Sequence, residues 1–193
     1  MRYFKYIDID NYQAVAHNSR AFVSEIYSKQ IRDQKSIFQQ IPWKIYLKYC
    51  PEILTAFSKY DLEPTSAFIY LIYNQAQAPL HIDTLSNTSN KCRVNIPIFN
   101  CEYSRTEFYT YKDMDLLLNT IWNKRAYGGY IELDETDVNV EKVDEVVVDR
   151  PTILRVQEIH RVLVDNINIP RTVLSFRTIK DPVYLLEEED ANC

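Results

Sequence analysis

From residue 66 onward, the chain consists mainly of short runs rich in β-branched and aromatic residues, separated by polar or proline-containing turns. The clearest is CRVNIPIF over 92–99, where Val94, Ile96 and Ile98 alternate with Arg93 and Asn95, the pattern of a strand with one apolar face. The eight runs span 66–74, 79–85, 92–99, 106–111, 140–148, 152–157, 159–164 and 171–179. Eight short strands of this kind are typical of a β-sandwich or a jelly roll, so we expect a mainly β fold.

The sequence before residue 66 has a different texture. Residues 2–9 suggest a short strand, and apolar residues at three- and four-residue spacing predict a helix over 11–29. A second helix is expected to begin at Pro51 and continue to about residue 59, whereas 36–49 fits either a helix or a strand. We therefore predict one domain over 1–193, since a chain of this length suits a single core. Its expected parts are a helical N-terminal support (1–65), a β core (66–179) with an insertion (112–139), and an acidic tail (180–193).

Composition excludes several classes of function. The chain has only two glycines, the adjacent Gly128 and Gly129, whereas phosphate-binding loops need several glycines for close backbone approach. The net charge is −5 and no block of basic residues occurs, which makes a nucleic-acid partner unlikely. No run of 18 apolar residues predicts a membrane span, and no signal peptide is evident. The four cysteines show no paired spacing, so we expect reduced thiols and a cytoplasmic protein; the sequence leaves the oligomeric state open.

Two of the three histidines lie on predicted strands. His81 and Asp83 are two residues apart, so a strand over 79–85 would place the imidazole and the carboxylate on one face. His160, near the start of the run 159–164, supplies a third candidate ligand. Two imidazoles and one carboxylate form the facial triad that holds Fe(II) and leaves three coordination positions open.

The sequence distance between Arg171 and His160 indicates a possible ligand of the metal site. Arg171 follows His160 by eleven residues and opens the eighth strand. If one strand leads away from the metal and the next returns beside it, Arg171 lies about three residues deep, or about 10 Å from the metal. That span suits a five-carbon dicarboxylate chelating the metal at one end and paired with a guanidinium at the other. Arg177, on the same strand face, is the competing carboxylate binder.

With these residues in place, the sequence resembles the Fe(II)- and 2-oxoglutarate-dependent dioxygenases over about residues 66–179. It looks most like the branch that contains the aspartyl/asparaginyl β-hydroxylases and bacterial proline hydroxylases, where an Arg-x-His pair on the third strand lies beside the cosubstrate. Asn95 stands here in place of that histidine. The resemblance implies a double-stranded β-helix, a cupin-like jelly roll, with iron bound by His81, Asp83 and His160. It also implies 2-oxoglutarate as cosubstrate and O2 as co-reactant, with Arg171, Ser175, Arg93 and Asn95 as the cosubstrate contacts.

The substrate and two rival functions stay open at this stage. By analogy with that branch, the substrate is an amino acid or a peptidyl side chain, recognised by loops that include Trp122, Tyr127 and Tyr130. One rival is a cupin-like metal-binding isomerase or hydrolase, which has no use for 2-oxoglutarate. The other is a non-catalytic jelly-roll binding module.

Overall fold

The structure is a computed structural model that describes residues 1–73, 79–83, 90–113, 117, 130–133, 139–165 and 170–187. Strands dominate these ranges. In chain order they are β1 (Phe4–Tyr6), β2 (Ile37–Gln40), β3 (Pro64–Ile72), β4 (His81–Asp83), β5 (Cys92–Phe99), β6 (Ser104–Tyr111), β7 (Tyr130–Glu132), β8 (Val140–Val146), β9 (Thr152–Arg155), β10 (Ile159–Val164) and β11 (Arg171–Thr178). Every pairing between them is antiparallel. The prediction of a mainly β fold is confirmed.

The strands form two sheets. The larger has the order β1-β9-β5-β11-β3-β2, and the smaller has the order β7-β4-β10-β6-β8. Phe108 and Val146 of the smaller sheet pack in one cluster with Leu154 and Val173 of the larger, so the sheets lie face to face. Strands distant in sequence are therefore neighbours in space, which brings β4 beside β10 and β11 between β5 and β3.

Helices cover the outer face of the larger sheet. They are α1 (Tyr12–Ile26), α2 (Ser28–Arg32), α3 (Trp43–Tyr49), α4 (Ile53–Ala56) and α5 (Tyr184–Glu187), with 3-10 turns at Ser58–Tyr60 and Cys101–Tyr103. The main core lies between these helices and the sheet: Phe22 and Tyr46 pack in one cluster with Ile69, Leu174 and Phe176, all with no exposed area. No helix within the described ranges is long and apolar enough to cross a membrane.

Side-chain alternation divides each central strand of the larger sheet between two environments. In β5, Val94 and Ile96 face the helices, while Arg93 and Asn95 line a cavity between the sheets. Because successive side chains of a strand point to opposite faces, the apolar half of the pattern builds the core and the polar half is directed toward the cavity.

Each of the eight predicted runs overlaps a strand of the structure, and two of those strands, β3 and β6, begin two residues earlier than predicted. The open segment 36–49 resolves into β2 followed by α3, and the predicted helix 11–29 is interrupted at Tyr27, between α1 and α2. Both β1 and β2 join the larger sheet, so the N-terminal 65 residues contribute strands as well as helices. Within the predicted tail, Leu185 and Leu186 are buried in the main core, and residues 188–193 lie outside the described ranges. Most of the predicted insertion (112–139) lies outside them too. The division into a single domain stays a prediction.

Candidate metal centre

The two sheets enclose a cavity of about 400 Å³, within the size range of small-molecule sites. Strands of both sheets contribute its walls. The polar residues among those that line it are His81, Asp83, Asn90, Arg93, Asn95, Thr106, His160, Arg171, Ser175 and Arg177, with Tyr70 from β3. All seven cosubstrate and metal residues predicted from the sequence thus line one cavity.

His81, Asp83 and His160 converge on one point of this cavity. β4 carries the first two on one face, and the β4–β10 register pairs His81 directly with His160. Their candidate ligand atoms all lie within 4.8 Å of one another. The ring centroids of the two histidines are 4.2 Å apart, and His81 Nε2 is 3.7 Å from Asp83 Oδ1. The geometry brings together three side chains that the sequence separates by up to 79 residues.

Backbone carbonyls orient both imidazoles. His81 Nδ1 donates to the Pro79 carbonyl at 2.7 Å, and His160 Nδ1 donates to the Glu158 carbonyl at 2.8 Å. A carbonyl accepts only, so in the neutral rings each Nδ1 carries the proton and each Nε2 keeps a free lone pair. Hydrogen bonds of this kind hold metal-binding histidines in the correct tautomer and orientation.

Burial keeps the imidazoles neutral. The pKa of each histidine is lowered to about 4, by burial in both cases and, for His81, also by the neighbouring His160. Burial also raises the pKa of Asp83, against the opposing effects of His81, Arg93 and Arg177. Two neutral nitrogens and one carboxylate oxygen are a suitable donor set for a divalent first-row metal, so the residues present fit a metal ion.

Arg171 lies at the other end of the same cavity. Its side chain is only 3% exposed, and its Nε donates to Ser104 Oγ at 3.2 Å. Ser104 pairs with Val164, four residues beyond His160 on β10, which corresponds to about 13 Å along the strand. No carboxylate in the described ranges forms an ion pair with Arg171. A buried guanidinium without a counter-ion, at this depth, suits the far carboxylate of a short diacid.

Further polar groups on the cavity wall have no partner within the described structure. They are Arg93 Nη1 and Asn95 Oδ1 on β5 and Thr106 Oγ1 on β6, all buried. Ser175 lies beside Asn95 on β11 and is 3% exposed. Buried polar groups usually find partners in proteins, so these atoms indicate a wall that is completed by bound molecules.

The sequence interpretation missed three aromatic residues of this wall, Phe38, Phe68 and Tyr70. Tyr70 faces the cavity from β3, and burial raises its pKa to about 12, so its hydroxyl stays protonated and able to donate a hydrogen bond. Phe38 of β2 packs edge-on against Tyr70 with ring centroids 5.5 Å apart. The alternation of the run SAFIYLIYN sets Phe68, Tyr70 and Ile72 on one face, but the other face is apolar as well, so the run alone does not show which face lines a cavity.

The predicted substrate residues remain a prediction. Trp122 and Tyr127 lie outside the described residues, and for Tyr130 the structure gives the backbone, which pairs with Asp83. Arg177, the alternative to Arg171, is exposed at the opposite end of β11. The two arginines therefore mark the two ends of the cavity.

No protein-family model matches this chain, and no curated protein matches it. Among solved structures, apo HygX from Streptomyces hygroscopicus is similar over 91% of this chain and 80% of its own, with 10% identity and a TM-score of 0.47. HygX with nickel and 2-oxoglutarate bound gives 13% identity and a TM-score of 0.45, over 91% of this chain and 81% of its own. Escherichia coli ycfD gives 11% identity and a TM-score of 0.41, over 80% of this chain and 38% of its own. Similarity at this level establishes neither a family nor an activity for the chain.

Proposed function

We propose that this protein is an Fe(II)- and 2-oxoglutarate-dependent dioxygenase, built on a double-stranded β-helix, that hydroxylates an amino acid or a peptidyl side chain. The observation that carries the proposal is the arrangement inside one cavity. Two neutral imidazoles and a carboxylate converge at one end, and about 13 Å further along the strand direction lies the buried Arg171, which forms no ion pair with a described carboxylate.

In this proposal His81, Asp83 and His160 hold the iron, and Arg171 binds the far carboxylate of 2-oxoglutarate. When bound, the iron and the 2-oxo acid together supply the oxidising chemistry with O2. Ser175 lies four residues from Arg171 on the same strand face, so it suits the half of the cosubstrate nearer the metal. We assign the far carboxylate of 2-oxoglutarate to Arg171 and not to the exposed Arg177, because a buried guanidinium binds a carboxylate with less competition from water.

The remaining residues of the site position these groups. The carbonyls of Pro79 and Glu158 fix the two rings, so that no rotamer or tautomer search precedes metal binding. The protonated hydroxyl of Tyr70 can donate a hydrogen bond to an anionic ligand. Apolar wall residues such as Val162 and Val173 exclude water from the space between the two ends.

The two rival functions predict different ligands for the same cavity. A cupin-like isomerase or hydrolase would use the metal without 2-oxoglutarate, which leaves Arg171 without a role. A non-catalytic module would tolerate the loss of His81 or Asp83 with its binding function intact. Arg171 is buried and has no carboxylate partner within the described part of the chain, which favours the dioxygenase over both.

Metal binding is the first test. We expect an anaerobic titration of the apoprotein with Fe(II) and then 2-oxoglutarate to produce the weak visible charge-transfer band of the chelate only when both are present. His81→Ala and His160→Ala should lose stoichiometric iron because each removes one of three ligands, while His17→Ala, at the exposed third histidine, should behave as wild type. Stoichiometric iron in either of the first two variants would rule out the proposed triad.

The cosubstrate pocket is the second test. Arg171→Ala should weaken 2-oxoglutarate binding at least tenfold, because it removes charge-assisted hydrogen bonds, while iron affinity changes little. Arg150→Ala, at an exposed arginine paired with Asp149, is the matched control. Iron binding without the band in the wild type would favour the cupin-like function, and unchanged 2-oxoglutarate affinity in Arg171→Ala would move the role to another arginine.

A further inference from the structure

A second pair of cationic side chains lines the cavity at the end opposite Arg171. Arg93 lies on β5 and Arg177 near the end of β11, and the register that pairs Val94 with Phe176 places them across from each other on neighbouring strands. Arg93 is only 6% exposed, whereas Arg177 is exposed at the cavity mouth and stacks over the Phe68 ring at 5.1 Å. One guanidinium therefore lies inside the cavity and the other at its entrance.

The buried member of this pair lacks a counter-ion. Arg93 Nη1 has no hydrogen-bond partner, and no carboxylate of the described residues lies within ion-pair distance of its guanidinium. Burial and the like charge of Arg177 both lower the pKa of Arg93. A buried unpaired cation next to another cation is unfavourable unless an anion binds between or beside them.

The charges of the cavity wall show that the metal and its cosubstrate do not supply this anion. Among the described residues that line the cavity, Arg93, Arg171 and Arg177 face a single carboxylate, that of Asp83, and histidines bind a metal in their neutral form. The described wall therefore carries two excess positive charges. A divalent metal and a dianionic cosubstrate neutralise each other, so the excess remains after both have bound.

The position of the pair relative to the metal ligands indicates which molecule would use it. Arg93 and Arg177 line the same cavity as the metal ligands, and six residues, or about 20 Å along β11, separate Arg177 from Arg171. An anion held by the pair would therefore lie in the cavity of the metal ligands, on the side away from Arg171. Asn95, two residues from Arg93 on the same strand face, offers an unpaired buried Oδ1 to a hydrogen-bond donor.

We propose that Arg93 and Arg177 bind a carboxylate of the substrate, that Asn95 accepts a hydrogen bond from the same molecule, and that the substrate is a small carboxylic acid rather than a neutral peptidyl side chain. This rests on the proposed function for its catalytic meaning, and it reassigns Arg93 and Asn95 from the cosubstrate to the substrate. Arg suits this role because its planar fork pairs with a carboxylate through two parallel hydrogen bonds.

The test uses small carboxylates and the corresponding primary amides as probes, and the pair L-lactate and L-lactamide differs only by the negative charge of the carboxylate. The full chain is saturated with Zn(II), which is diamagnetic and redox-inert, and with 2-oxoglutarate. Saturation-transfer NMR then compares glycine, L-alanine and L-lactate with glycinamide, L-alaninamide and L-lactamide. We expect carboxylates to bind and amides to bind at least tenfold more weakly. Arg93→Gln and Arg177→Gln should each weaken carboxylate binding about tenfold or more, with 2-oxoglutarate affinity changed less than twofold.

Two controls separate binding from folding. Arg177 is exposed, so Arg177→Gln keeps the proposal testable if the buried Arg93→Gln variant unfolds. Arg150→Gln, at an exposed arginine outside the cavity, should leave probe binding unchanged.

The failures of the two proposals look different. Equal binding of acids and amides, or no binding of any carboxylate to the wild type, would overturn the substrate-anion site. So would a loss of 2-oxoglutarate affinity in Arg93→Gln as large as that in Arg171→Ala, although this result would leave the dioxygenase proposal standing. Conversely, Arg93-dependent carboxylate binding in a protein that binds neither metal nor 2-oxoglutarate would uphold the anion site and refute the dioxygenase.

Discussion

The two faces of the larger sheet are built by the same strands but differ in chemistry. On the helix side, Leu174 and Phe176 of β11 have no exposed area and belong to the main hydrophobic core. On the cavity side, Arg171 and Ser175 of the same strand are each 3% exposed, yet they are polar. Low exposure alone therefore does not distinguish a core position from a site position. What distinguishes the two positions is the chemistry of the buried side chain. A buried polar side chain needs a hydrogen-bond partner, whereas the apolar side chains of the core face need none.

The helix-side face should dominate stability. Phe176 packs against Trp43, Tyr46 and Phe57 with ring centroids 5.8–6.3 Å apart. We expect Phe176→Ala to cost about 3–5 kcal/mol of unfolding free energy, because it removes a buried ring and leaves a cavity. Denaturant unfolding measures this change.

Phe38→Ala is the matched control on the other face. Phe38 is 56% exposed at the cavity mouth, so its truncation should cost less than about 1 kcal/mol. Equal losses in the two variants would mean that the helix-side cluster is not the main source of stability.

The outer face of the smaller sheet differs from both, because it holds a buried carboxylate that is surrounded by hydrogen-bond donors. Glu107 on β6 is 4% exposed and accepts hydrogen bonds from Tyr109 (2.6 Å), Lys142 (2.8 Å), Arg161 (2.9 Å) and Arg105 (3.2 Å). Burial raises the pKa of this carboxyl, but the four donors outweigh it and lower the pKa to about 2. Every acceptor position is filled, so this cluster supports the fold rather than a ligand.

A depressed pKa in the folded state gives a defined acid dependence. Glu107 takes up a proton near pH 4.5 in the unfolded chain and near pH 2 in the folded chain. Its ionised form therefore contributes fully to the free energy of unfolding above pH 4.5, and this contribution is lost as the pH falls from 4.5 to 2. At neutral pH we expect Glu107→Gln to cost about 3 kcal/mol. That deficit should shrink as the pH falls toward 2.

Glu145→Gln is the matched control, because it tests whether a partly exposed carboxylate contributes to stability as the buried Glu107 does. The Glu145 side chain is 53% exposed and contacts the same Lys142 at 2.7 Å. Its replacement should cost less than about 0.5 kcal/mol at any pH, since exposed ion pairs are screened. A deficit in Glu107→Gln that stays constant with pH would show that packing, not charge, is responsible.

Much of this contrast could be predicted from alternation alone. In CRVNIPIF the polar and apolar residues take turns, so the local pattern by itself separates the cavity residue Arg93 from the core residue Val94. The pair His81 and Asp83 is predictable for the same reason, because a spacing of two places both on one face. The third residue of the cluster, His160, joins them only because β10 pairs with β4.

Other features depend on pairings that no local pattern encodes. Residues 37–40 became a strand because the edge of β3 offered unpaired backbone groups, which the sequence of the segment does not reveal. Tyr70 was missed because the run SAFIYLIYN is apolar and aromatic on both faces. Its role became visible only when β3 paired with β11, which sets Tyr70 opposite Val173 and on the face of Arg171.

The smallest expected effect on stability gives the sharpest test of the two-face contrast. Ser175 separates Leu174 from Phe176 on β11 and is nearly as buried as both, but its hydroxyl faces the cavity. Ser175→Ala removes one oxygen from a site that does not form part of the packed core, so we expect a change below about 0.5 kcal/mol in unfolding free energy. If Ser175 contacts 2-oxoglutarate, Ser175→Ala should also weaken 2-oxoglutarate binding by about 0.5–1.5 kcal/mol, or about two- to tenfold.

Leu174→Ala should do the opposite, costing about 2–5 kcal/mol of stability while the folded protein keeps its 2-oxoglutarate affinity. A comparable loss of stability in both variants would place Ser175 in the structural core, and the cavity-side face would then lose one of the residues assigned to the cosubstrate.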